Sequence, residues 1–180
     1  EMRLEGADVI ILNVSADEMA QLRNFSDLRA LRARRGPTIF TISPHPFYLL
    51  GGSIGRRLFD EVDCFDGIEL CHFHKGPFNP NWPAARAARK FHKPLIATSD
   101  AHRLHAFGRH YTSIPRPAEL TCEAVFDALR NGPIRLVSPP CTMKDLFSAL
   151  YWTFLAHPLQ VRARHKLGSA AAHCATVHAP

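Results

Sequence analysis

A chain of 180 residues, 46% of them hydrophobic, has apolar material for one sizeable core, and its length favours a single domain. Twenty-two Lys and Arg against sixteen Asp and Glu leave a formal charge of +6, which suits an anionic partner (a phosphate ester, a nucleic acid or an acidic membrane surface) without choosing among them. Five cysteines, odd in number and with no Cys-x-x-Cys, argue against a disulfide framework or a zinc ribbon, and no stretch is long and apolar enough to cross a bilayer.

Reduced thiols point to a cytoplasmic protein without a membrane partner, and nothing near residue 1 has the basic-then-apolar order of a signal peptide. The opening Glu1-Met2-Arg3-Leu4 reads as the beginning of a fragment. Residues 7–14 (ADVIILNV) form a nearly continuous apolar run, the pattern of a strand buried on both faces. Ser26-Asp27 then caps a helix over residues 28–35, stopped by Gly36-Pro37, and a strand over 38–42 breaks at Ser43-Pro44-His45-Pro46. A short helix over 56–60, a strand over 65–71 (FDGIELC), an Ala/Arg-rich helix over 82–91 and a strand over 95–98 continue the alternation. After a glycine-bearing loop come a strand at 110–114, a helix at 122–130 ended by Asn131-Gly132-Pro133, and a strand at 134–138. Repeated strand-helix units imply a parallel sheet or barrel with right-handed crossovers, in which polar residues at strand C-termini face the active-site mouth. Residues 143–155 read as an amphipathic helix, and the Ala-, His- and Arg-rich tail from about residue 160 lacks apolar periodicity and is expected to be poorly ordered.

The strongest local signal is Thr98-Ser99-Asp100-Ala101-His102, where an aspartate and a histidine two apart follow an apolar strand. In an extended segment both side chains point the same way and can reach one metal cluster; the competing reading is a helix cap with an exposed histidine. His45 also follows an apolar strand, between two prolines that fix its backbone, and Glu1 lies just ahead of another strand. Histidine and carboxylate ligands on one rim are what hydrolytic zinc, manganese or iron sites use. His72 and His74 alternate along the end of a strand, either as an exposed pair or as a group acting on substrate. Arg109 is a candidate for bidentate phosphate contact, with Lys75, Arg56 and Arg57 behind it, and Gly51-Gly52-Ser53 reads as a flexible lip. Most basic residues, such as Arg32, Arg34 and Arg35 or Arg86, Arg89 and Lys90, lie at helical spacing and fit a solvated helix face better than a nucleic-acid stripe.

In order and spacing, Ser43-Pro44-His45-Pro46, Asp66-Gly67-Ile68-Glu69-Leu70 and Thr98-Ser99-Asp100-Ala101-His102, followed by Gly108-Arg109-His110-Tyr111-Thr112, resemble the last two-thirds of the PHP (polymerase and histidinol phosphatase) domain. The resemblance implies an α/β fold, a distorted TIM-like (β/α)7 barrel of PHP type with its first strand or strands missing, over residues 1–140. A C-terminal amphipathic helix over 141–160 and a disordered tail over 161–180 would follow. It further implies that Glu1, His45, Asp100 and His102 are metal ligands for divalent zinc, manganese or iron, up to three ions in a complete domain. His72 takes a place where the family often carries Asn or His and, with Arg109, is a candidate catalytic residue. Asp8 stands where the family commonly supplies a histidine, and is either a substitute ligand or a mark of a degenerate site. The family's first motif, a His-x-His pair, has no counterpart in the chain, which fits truncation or degeneracy.

The activity implied is metal-dependent hydrolysis of a phosphate ester, a phosphorylated small molecule or a nucleotide, by metal-activated water. The sequence contains neither a Gly-x-Ser-x-Gly elbow nor a Gly-x-x-x-x-Gly-Lys-Ser loop, so serine catalysis and P-loop chemistry are disfavoured. Two rivals remain: a non-catalytic PHP-like module that binds nucleic acid or a protein partner through its basic surface, and a metal hydrolase acting on amide bonds. Oligomeric state is not legible.

Overall fold

The computed structural model describes residues 1–48, 51–77, 79–101 and 104–151. The chain divides into two compact units, residues 1–140 and a second beginning at Cys141. The first carries all the strands found among the described residues.

Strand β1 (Met2–Leu4) turns on Glu5 and Gly6, both at positive φ, into β2 (Ala7–Leu12), to which it pairs antiparallel. Two successive positive φ values make the tight hairpin whose twist suits the flanking strands. Burial alternates along β2, with Ala7, Val9 and Ile11 inside, so this strand is not covered evenly on both faces as the apolar run predicts. Two helices absent or shorter in the sequence reading follow. Ser15 and Glu18 form a reciprocal capping box that starts α1 (Ala16–Gln21), and Asn24 with Asp27 does the same for α2 (Phe25–Arg35), so Asp27 is the return partner of the cap and the cap is Asn24. Gly36, at φ 54, ends α2.

β3 (Phe40–Ser43) then pairs antiparallel with β2 and parallel with β4 (Gly67–Leu70), which pairs parallel with β5 (Leu95–Ala97). Short 3-10 turns at Gly55–Phe59 and Val62–Cys64 link β3 to β4, and α3 (Asn81–Lys90) links β4 to β5. The result is a five-stranded mixed sheet in chain order, β1-β2-β3-β4-β5. β6 (Tyr111–Ser113) and β7 (Arg135–Val137) form a separate antiparallel pair, with α4 (Cys122–Asn131) between them in sequence.

The expected (β/α)7 barrel is therefore incorrect. The described residues form a small mixed α/β protein, with no closed barrel. Closure needs a continuous, evenly staggered ring of strands. Here the hairpin at Glu5-Gly6 and the antiparallel β2–β3 pairing reverse the chain direction early, and β6 meets β5 through the Thr112 side chain, whose hydroxyl accepts from the Ala97 amide at 2.7 Å and lies 3.0 Å from the Ala97 carbonyl.

The sheet is covered on both faces. On one, Phe25, Leu28 and Leu31 of α2 and Ala84, Ala87 and Ala88 of α3 pack on Val9, Ile11 and Ile68. On the other, Phe126 of α4 packs on Phe40, Ile42 and Ile96. This three-layer arrangement leaves the C-terminal ends of the parallel strands β3, β4 and β5 on one rim, the place where open α/β sheets gather polar side chains. In the second unit, Thr142 caps α5 (Met143–Tyr151) by accepting from the Asp145 amide. The expected helix beyond residue 151 and the tail at 161–180 lie outside the described residues.

Candidate metal centre

His45 follows β3 by two residues, at φ 28, a left-handed conformation that costs a residue with a Cβ of order 1 kcal/mol or more. Its Nε2 lies 3.9 Å from Glu1 Oε1, just ahead of β1, and 3.9 Å from Asp8 Oδ2 on β2. The three donor atoms all fall within 4.8 Å of one another. A separation of 3.9 Å is too long for a hydrogen bond, but two ligands sharing one cation at about 2.1 Å in tetrahedral array stand roughly 3.4 Å apart. Two carboxylates and an imidazole at this spacing fit a divalent ion of the zinc, manganese or iron type.

The surroundings aim the imidazole. Ser53 Oγ donates to the His45 carbonyl at 2.6 Å, so toward His45 Nδ1, 3.5 Å away, the hydroxyl can only accept. With its ring proton on Nδ1, His45 would turn the Nε2 lone pair toward Glu1 and Asp8, the arrangement metal-binding histidines need. Gly52, at φ +97, holds β2 from the same loop: its carbonyl accepts from the Asp8 amide at 2.6 Å, and it bridges Ala7. A Cβ built there would fall 1.7 Å from Asp8 Oδ2, so the expected flexible lip is a fitted support for Asp8. Asp8 is also gripped by Arg3, at 2.7 Å to Nε and 3.1 Å to Nη2. The Arg3 side chain is 60% exposed, against 12% for Asp8.

Behind the cluster sits Glu69, in the middle of β4 and 1% exposed. One carboxylate oxygen accepts from the His45 backbone amide and the other from the Thr98 hydroxyl, just beyond β5. Burial pushes its carboxyl above the ordinary range, against the pull of those two hydrogen bonds and of His45, and the charge of Asp100 pushes the same way as burial. Glu69 appears in the sequence reading within a motif but without a role. The signal that could have found it was a carboxylate inside an otherwise apolar strand, which needs partners to be buried. Nearby, Ser43 Oγ is buried with no hydrogen-bond partner among the described residues.

The other sequence-derived ligands stand differently. Asp100 follows β5 at φ 42, close enough to act electrostatically on Glu69 but not one of the three atoms that converge on His45 Nε2. His102 lies outside the described residues. His72 is half-buried beyond the end of β4, its ring 5.4 Å from that of His110 and 5.9 Å from Phe73. His110 is buried, with Nδ1 3.0 Å from Ser138 Oγ, and His74 Nε2 lies 3.2 Å from the Ser138 carbonyl, which can only accept. Three imidazoles thus gather around the entry to β6 and the end of β7; sequence reasoning weighed His72 and His74 as a pair and quoted His110 within a motif without a role. Arg109, its exposed neighbour, donates its amide to Ala106 at 3.3 Å.

A second set, Glu61, Asp63 and Cys64, also converges within 4.8 Å. Its acids are taken by Arg29, at 2.7 Å to Glu61 and 2.6 Å to Asp63, and burial pushes the Cys64 thiol up to about 12. A thiol held that firmly protonated is a poor metal ligand, so Glu1, Asp8 and His45 are the better candidate.

Residues 78–134, about a third of the chain, match the family described as PHP-associated. Curated proteins and solved structures gave no match. The matched stretch runs from the approach to α3 through β5, the Asp100 loop, β6 and α4. That match and the order of motifs along the chain point the same way: over residues 78–134 the chain is similar to the PHP-associated family.

Proposed function

We propose that the protein hydrolyses a phosphate ester, a phosphorylated small molecule or a nucleotide, at a divalent-metal centre built on Glu1, Asp8 and His45. The observation that carries this reading is the convergence of two carboxylate oxygens and an oriented imidazole within 4.8 Å. A zinc, manganese or iron ion bound there supplies positive charge and Lewis acidity toward a phosphoryl group and a water. The chain's own residues do the rest: Ser53 holds the His45 carbonyl beside the ring, Gly52 seats Asp8, and Asp100 supplies a further ligand-type group, to which the family pattern would add His102. His72, just past β4, and Arg109, just ahead of β6, are the candidates to hold phosphoryl oxygens or move a proton. No helix among the described residues is long and apolar enough to cross a membrane.

One observation favours the non-catalytic module: Asp8 already has a cationic partner in Arg3. Elemental analysis of the purified chain, beside His45→Ala and Asp100→Ala variants and an aryl-phosphate assay, separates the two readings. Bound metal lost in both variants, with phosphate released by the wild type, supports the enzyme. A metal-free, folded wild type replaces it with the module, and hydrolysis of an amide panel instead of the aryl phosphate moves the activity to the other class of metal hydrolase.

A further inference from the structure

Four rim residues come from four different strands or strand ends, and nothing in their own sequence neighbourhoods holds them in common. His45 and Asp100 are both in left-handed backbone conformations, at φ 28 and 42, and neither is a glycine. Conformations of that kind persist where surrounding contacts over-determine them. Between the two segments runs β4, and its buried Glu69 reaches both: the His45 amide on one side and the Thr98 hydroxyl, two residues ahead of Asp100, on the other.

We infer that Glu69 is a positioning residue that clamps the β3 and β5 ends through β4, so that His45 and Asp100 are presented to the metal in register. The inference rests on the metal-centre reading above. The clamp is specific in its chemistry. A carboxylate offers only acceptors, and the two groups that meet it, a backbone N–H and a hydroxyl, can both donate. An amide in its place keeps one acceptor for the His45 N–H, while its NH2 can donate to a Thr98 hydroxyl that has rotated to accept. A methyl group serves neither. Glu69 therefore acts through geometry, as a group behind the ligands that orients them, and such groups change metal affinity by about 10- to 100-fold when lost.

The experiment is a Mn2+ titration of the full chain, followed by electron paramagnetic resonance, for wild type, Glu69→Ala, Glu69→Gln, Thr98→Val, Thr98→Ser and His45→Ala, with circular dichroism on each. The clamp predicts that Glu69→Ala weakens Mn2+ binding about 10- to 100-fold, that Glu69→Gln stays within about threefold of wild type, and that Thr98→Val weakens binding severalfold while Thr98→Ser restores it. Equal losses in Glu69→Gln and Glu69→Ala would overturn the inference in favour of Glu69 as a direct ligand. Unchanged affinity in a folded Glu69→Ala would overturn it in favour of simple packing. Should Glu69→Ala fail to fold, the Thr98 pair decides, since an unaffected Thr98→Val removes the clamp. The two readings fail separately: a wild type that binds no Mn2+ removes the metal centre and the clamp's purpose with it, whereas binding that depends on His45 but not on Glu69 or Thr98 removes the clamp alone.

Discussion

Two carboxylates, Asp66 just ahead of strand β4 and Glu69 within it, stand in opposite situations. Asp66, immediately before it, is met by Arg32 at 2.6 and 3.0 Å and by Arg130 at 3.1 Å, and accepts from the Thr41 amide at 2.8 Å. Burial works to raise its carboxyl, but the two guanidinium groups outweigh it and hold the group down at about 2. Glu69, three residues on, meets no guanidinium among its hydrogen-bond partners and is pushed upward. One end of the strand brings its cations from within the chain and ties α2, α4 and the sheet together. The other assembles acids and an imidazole at the proposed metal centre, where the cation facing Asp8 is the exposed Arg3.

The sharpest way to break this contrast is at the structural end. Asp66→Ala leaves Arg32 and Arg130, each 20% exposed, without their acid, and loss of one member of a buried ion pair costs about 3–5 kcal/mol. Urea unfolding should show a loss of that order with Mn2+ affinity unchanged in the folded fraction. The group also predicts an acid dependence. Its folded value is depressed to about 2 from the ordinary 3.8, so its contribution is full above about pH 4 and drains away as pH falls toward 2. Asp66→Asn should flatten the stability curve in that window and not at neutral pH. A curve of unchanged slope would mean the arginines are not what stabilises the acid.

These two ends were unequally legible. The positions of β3, β4, β5, α3 and α4 followed from apolar runs and glycine or proline stops, because local periodicity is what decides such elements. The barrel did not follow from the alternation. Strand direction is set by pairing partners far apart in sequence, and the Glu5-Gly6 hairpin that starts the antiparallel part looked like an unremarkable pair of residues. His45 was visible because it closes a strand between prolines. Asp8 was visible only as an anomaly against the family pattern, and Gly52 and Ser53 only as part of a flexible lip, since their importance lies in contacts with His45 and Asp8. Asp66 and Glu69 look alike in the sequence; the helices that bring arginine to one and not to the other distinguish them.

Two smaller perturbations probe each end in turn. Gly52→Ala inserts a methyl against Asp8 at a φ that L-residues rarely adopt, which should cost about 1–3 kcal/mol and weaken Mn2+ binding together, read by thermal unfolding and titration. Asn24→Ala removes the α2 cap and should cost about 1 kcal/mol by the same unfolding measurement, without touching the metal. If both substitutions lowered Mn2+ affinity equally, the rim would be responding to global stability and the division between the ends would be lost.

The gentlest change is the most telling about function. Arg3 holds Asp8 bidentately, yet its side chain is more exposed than that of any arginine on Asp66, so it can leave into water at little cost. If Asp8 is a ligand, Arg3 competes with the incoming ion for the same two oxygens, and Arg3→Gln should bind Mn2+ severalfold more tightly while unfolding at the same urea concentration. Raising salt should narrow the gap between wild type and variant, because an exposed pair is screened and the wild type's competitor weakens. If Asp8 is instead only the anchor of the β1–β2 hairpin, Arg3→Gln leaves Mn2+ binding where it was at every ionic strength, and the arginine at this end would be doing for Asp8 what Arg32 does for Asp66.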